Sequence, residues 1–218
     1  KLIGTKIVEV PYFKDQMVDN TKDVLIIGER FGGVEGISES IHELGFLNVN
    51  TTDILENPTD SWLKQNTKWE NKKYDYIISI SVFEHFGFWF AGNRMANGLA
   101  EDDTCRWNHD ILGINKACKL LKDNNSKLII TLPAGPYMNY EDSGEPFLRS
   151  YDYRRQQLIK TELKNNGYYI SDEKFYYSEN FTDWHESDAE INEVKFYHLY
   201  NPYSPNVIWA FTIQEIKK

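Results

Sequence analysis

The stretch Asp23–Ile54, DVLIIGERFGGVEGISESIHELGFLNVNTTDI, constrains this chain more than any other. An apolar run from Val24 to Ile27 ends on a glycine turn, the pattern of a strand buried on both faces. The period then changes. Ile37, Ile41 and Leu44 recur at helical spacing, and Gly45 stands where a helix ends in left-handed backbone. A second strand, Phe46 to Thr52, follows, and Asp53 closes it. Strand, glycine turn, helix, strand and acid together describe a βαβ unit, which predicts a mostly parallel, doubly wound α/β sheet.

Such a unit has a ligand logic. Glycines at the turn let a ligand approach the backbone, and the helix N-terminus offers unpaired N–H groups. An acid ending the second strand can accept both hydroxyls of a ribose. A dinucleotide turn would read G-x-G-x-x-G, with the middle glycine admitting the pyrophosphate. Here Gly28 and Gly33 hold the outer positions and Arg30 the middle one, which argues against a pyrophosphate.

Further along, YDYIISISVFEHFG (Tyr74–Gly87) and SKLIITLPAG (Ser126–Gly135) each read as a buried strand running into a turn. Taken with the Gly28 turn, in this order, the chain resembles the Rossmann-like, S-adenosylmethionine-dependent methyltransferases, in particular a glycan-associated branch whose third stretch is a strand followed by EHFG. The resemblance covers roughly Asp23 to Pro133. It implies a final antiparallel strand pair and S-adenosyl-L-methionine as cofactor, while the length of 218 residues reads as a single domain over residues 1–218. Cofactor contacts are implied at Gly28, Glu29, Arg30, Gly32, Asp53, Ile54, Ser81 and Val82. The family's acid within the first strand is replaced here by Ile26, and Glu29 stands as its substitute.

Composition narrows the partners. A net charge of −9 disfavours nucleic acid and anionic membranes, whose binding depends on clustered cations. No apolar run has bilayer-spanning length. Cys105 and Cys118 form neither a C-x-x-C nor a cluster with histidine, which disfavours a disulfide scaffold or structural zinc; no metal is expected, and a reducing cytoplasm fits best. Aromatic residues at 15% suit sugar stacking as well as ordinary packing. Self-association is left open.

The remaining segments give further expectations. Residues 1–22 read as an edge strand or a lid. Residues 87–107, aperiodic and rich in glycine and acid, read as an acceptor-binding cap carrying Phe88, Trp89, Phe90 and Trp107, and 178–206 as a late insertion. Asp60 caps a helix or reaches an adenine amino group. Asn108 is expected to cap a helix with Ile111, Ile114, Cys118 and Leu121 inward; a polar loop should run to Ser150; and Asp152–Asn166 should be helical with Leu158, Ile159 and Leu163 inward.

Methyl transfer to a hydroxyl calls for a positioned base, worth about 10²–10⁴-fold, and histidine suits neutral pH. His85 follows a strand end and His109 opens a helix facing the same crevice, with Asp110 as an orienting partner; either is the base or a structural hydrogen-bonding group. Glu84 orients His85, binds an acceptor hydroxyl or is a solvated acid. Glu101, Asp102 and Asp103 bind sugar hydroxyls or a cation, or are simply solvated. The leading expectation is O-methylation of a sugar or nucleotide-sugar precursor of a surface glycan. The alternatives are a non-catalytic binding protein on the same fold and, less favoured, a nucleotide-dependent dehydrogenase or epimerase, for which the required Tyr-x-x-x-Lys spacing is missing.

Overall fold

In the computed structural model, the apolar runs become strands of one mixed sheet. The structure describes residues 5–28, 37–52, 71–86, 108–136, 139–142, 145–187, 196–197 and 204–217. The sheet order is β2 (Val49–Thr52), β1 (Val24–Ile27), β3 (Tyr76–Ile80), β4 (Lys127–Pro133), β11 (Val207–Glu215), β7 (Tyr168–Tyr177) and β8 (His185–Ser187). Strands β2, β1, β3 and β4 are mutually parallel, whereas β11 runs antiparallel to both β4 and β7, giving the expected final antiparallel pair. The segment expected as a plain late insertion adds a strand of its own, because β8 pairs antiparallel with β7. The two-residue strands β9 (Phe196–Tyr197) and β10 (Ser204–Pro205) pair with each other.

Helices cover both faces because the parallel strands alternate two apolar sets. Val24 and Ile26 of β1, with Ile78 of β3, pack under α1 (Lys6–Gln16) and α2 (Ile37–Glu43). Leu25 and Ile27, with Ile77 and Ile130, pack under α3 (His109–Cys118) and α4 (Tyr153–Asn165). Each fully buried aliphatic side chain contributes about 1.5–3 kcal/mol, so both layers are needed to hold the four short parallel strands. Ile26 is fully buried in the α1 layer.

Four expectations are corrected. Residues 6–16 form neither strand nor lid but helix α1, despite Pro11 within it. Val10, Phe13 and Met17 recur at i, i+3 and i+7 and are all buried, and this face outweighs the short Val8–Val10 alternation that mimics a strand. The polar stretch before Ser150 is a hairpin, β5 (Asn139–Asp142) with β6 (Glu145–Arg149). In α4 the inward stripe is Gln156, Ile159 and Leu163, while Leu158, one residue off it, is 41% exposed. Asn108 stands at the cap position just before α3 but makes no side-chain capping bond. Asp152, by contrast, caps α4 by accepting from the Arg155 amide at 2.8 Å. Among the described residues no helix is long and apolar enough to cross a membrane.

Candidate active-site crevice

Strand β1 has β2 on one side and β3 on the other, so the chain changes winding direction between β1 and β3. In open α/β sheets that switch point, beyond the carboxyl ends of the strands, is where ligands bind. Gly28 closes β1 there with φ +84, and its amide donates to the Thr52 carbonyl at 2.7 Å. A Cβ on Gly28 would stand 2.3 Å from a Val82 methyl carbon, so only glycine lets the ends of β1 and β3 come this close.

Past β3 the backbone bends sharply. Ser81 has φ +53, and Phe83–His85 form a single 3-10 turn. This turn packs under α3 at Gly113, where a Cβ would lie 2.7 Å from the Phe86 ring. The turn buries Glu84, at 2% exposure, and leaves His85 half-buried. Burial pushes the Glu84 carboxyl well up from its ordinary range, and the nearby Glu9 carboxylate adds to the rise. One Glu84 oxygen has no hydrogen-bond partner among the described residues. Tyr151, bridged to Ala134 at the end of β4, likewise buries a hydroxyl without a partner among the described residues, and burial, with the Asp110 carboxylate adding to it, pushes its phenol well up.

His109 is buried in the first turn of α3. Its neighbour Asp110, expected to orient it, is engaged elsewhere. Asp110 Oδ1 accepts from Arg149 Nη1 at 3.1 Å and from Arg155 Nη2 at 2.6 Å, and Oδ2 accepts from Arg155 Nε at 3.0 Å. Arg149 also donates to the Phe86 carbonyl, tying the hairpin to the 3-10 turn. Glu29, Arg30, Gly32, Asp53 and Ile54 lie outside the described residues, as do Asp60, the 87–107 cap with its aromatic residues, Glu101, Asp102, Asp103 and Cys105. The structure therefore brings together Gly28 with Val82, while Ser81, Glu84 and His85 follow one another through the bend past β3. It adds Glu9, Thr131, Arg149 and Tyr151, which the sequence reading did not select. Among the described residues no group of three or more His, Cys, Asp or Glu side chains could hold a metal ion.

No protein-family model and no curated protein sequence matches the chain significantly. Solved structures do. The glycopeptide N-methyltransferase MtfA, complexed with S-adenosyl-L-homocysteine, aligns with TM-score 0.51 and 9% identity over 95% of this chain and 88% of that one. The chain has the Rossmann-like methyltransferase fold. A protein from Bacillus halodurans C-125 assigned as a methyltransferase aligns with TM-score 0.49 and 10% identity over 97% of this chain and 100% of that one. On this fold, Gly28, Ser81, Val82 and Glu84 all stand at or just past the carboxyl ends of β1 and β3, whereas His42 lies exposed on α2 with its Nδ1 3.0 Å from the Phe46 carbonyl oxygen.

Proposed function

We infer that this protein is an S-adenosylmethionine-dependent methyltransferase acting on a hydroxyl of a small molecule, with a sugar or nucleotide-sugar as the acceptor class. The observation that carries the reading is the contact of Gly28 with Val82 at the switch point of a methyltransferase fold. With no side chain of its own, Gly28 lets Val82 close the gap between the ends of β1 and β3, and the strand ends so joined at the switch point fit the group. When bound, S-adenosylmethionine supplies an activated methyl group. The protein's own residues then have three tasks. Gly28, Ser81 and Val82 shape the cofactor wall, joined by Glu29, Arg30, Gly32 and Ile54, with Asp53 receiving the ribose hydroxyls. Glu84, buried just past β3 with one oxygen lacking a partner among the described residues, orients His85 or binds an acceptor hydroxyl. His85 or His109 takes the acceptor's proton.

Calorimetric titration with S-adenosylmethionine, S-adenosylhomocysteine and NAD tests the cofactor class. Binding of the first two without NAD is expected; NAD alone, or none of the three, would sink the reading. Asp53→Ala should weaken cofactor affinity by about 1–3 kcal/mol, the cost of a buried polar partner left unpaired. A loss of stability with unchanged affinity would remove Asp53 from the ribose role.

A further inference from the structure

Helix α1 carries a carboxylate to the ligand end of the sheet. Glu9 has no exposed surface. Its Oε1 accepts from the Ser81 hydroxyl at 2.7 Å and the Thr131 hydroxyl at 2.6 Å, and its Oε2 accepts from Lys6 Nζ at 2.7 Å. Burial alone would raise this carboxyl, but the Lys6 ammonium and the two hydroxyls outweigh it and hold the group below its usual range. An ion pair between Lys6 and Glu9 needs neither Ser81 nor Thr131. The bonds across 72 and 122 residues instead tie α1 to Thr131 of β4 and to Ser81, the residue just past β3.

Ser81 is the residue this network holds. Its left-handed backbone, at φ +53, is a conformation that a side chain with a Cβ adopts only at a cost. The bend keeps it through the hydroxyl bond to Glu9 and through the Ser81 amide, which donates to the Thr131 carbonyl at 3.1 Å and the Thr131 hydroxyl at 3.2 Å. Ser81 in turn sets the direction of the next residues: Val82 against Gly28, and Glu84 beyond β3.

We propose that Glu9 is a positioning residue for the cofactor wall, its carboxylate locking Ser81 in the left-handed conformation and so holding Val82 against Gly28. The role rests on the methyltransferase reading above. It makes α1, outside the βαβ unit, part of the binding machinery, with Lys6 and Thr131 as its supports.

The test is S-adenosylhomocysteine affinity by calorimetry, with melting temperature measured on the same samples. Glu9→Ala should bind roughly tenfold more weakly, the size of one lost polar anchor. Glu9→Gln, whose amide oxygen still accepts both hydroxyls, should retain most of the affinity. The double variant Glu9→Ala with Ser81→Gly should recover affinity, because glycine takes φ +53 without an anchor. If wild type binds and Glu9→Ala binds equally tightly while melting lower, Glu9 is only structural and this inference falls alone. If wild type does not bind, the cofactor reading falls and takes the inference with it. Should Glu9→Ala not fold, Ser81→Ala must lose affinity and Ser81→Gly must keep it; the reverse order overturns the proposal.

Discussion

Asp110 and Arg149, both without exposed side-chain surface, meet at 3.1 Å beneath the 3-10 turn that follows β3. A buried pair is a poor source of net stability, yet removing one partner strands the other's charge, at a cost of about 3–5 kcal/mol. Arg155 shares the Asp110 carboxylate, so the aspartate is the centre of the cluster. Asp110→Ala should therefore destabilise by that amount or more in urea unfolding. Arg149→Ala should cost somewhat less, since Arg155 still neutralises the acid. Equal stability of Asp110→Ala and wild type would contradict the cluster.

Glu84 and Glu9 should give stability slopes of opposite sign. A carboxyl raised by burial binds its proton more tightly folded than unfolded, so the folded state loses stability as pH climbs above the ordinary 4.5 toward the raised value. Glu84→Gln removes that loss, and thermal unfolding from pH 5 to pH 8 should show the variant gaining on wild type as pH rises. Glu9, depressed below 4.5, stabilises above that value and loses its contribution as pH falls through the folded value. The deficit of Glu9→Gln should close in acid. Parallel curves for wild type and either variant would contradict the corresponding shift.

Gly28→Ala should be destabilising on two grounds, left-handed backbone and the 2.3 Å approach to Val82. The backbone term alone is about 1–3 kcal/mol. Adding Val82→Ala relieves the clash but not the conformation, so the double variant should recover only part of the loss in denaturant midpoint. Full recovery would show that the φ of +84 carries no cost.

Tyr151→Phe removes a buried hydroxyl that has no partner among the described residues. The folded state should lose nothing, and melting temperature should hold or rise. A marked fall would reveal a partner, such as a bridging water, that the hydroxyl needs.

His85→Ala and His109→Ala, compared at saturating cofactor with an acceptor in hand, should separate the base from the bystander. The base variant loses about 10²–10⁴-fold in turnover while cofactor affinity stays put. Wild-type turnover in both would exclude histidine as the base.

Local pattern was enough for the elements that periodicity writes along the chain. Val24–Ile27, Tyr76–Ile80 and Lys127–Pro133 are continuous apolar runs because strands buried on both faces have no polar side to show, and Gly45 and Gly167 adopt φ +86 next to the helices they were expected to close. The winding of the sheet followed from the same runs. The polar framework of the crevice did not, because its partners are far apart in sequence. Glu9 reads as one acid between two valines until Ser81 and Thr131 arrive from other strands. Arg149 reads as a loop cation until the hairpin buries it against Asp110. The Asp110 carboxylate, adjacent to His109 in sequence, faces two arginines instead, since neighbouring residues on a helix point about 100° apart. Periodicity reports which face of an element is buried. Which buried charges meet is decided only when the elements pack, because the desolvation cost of each is offset by a partner that the local sequence does not contain.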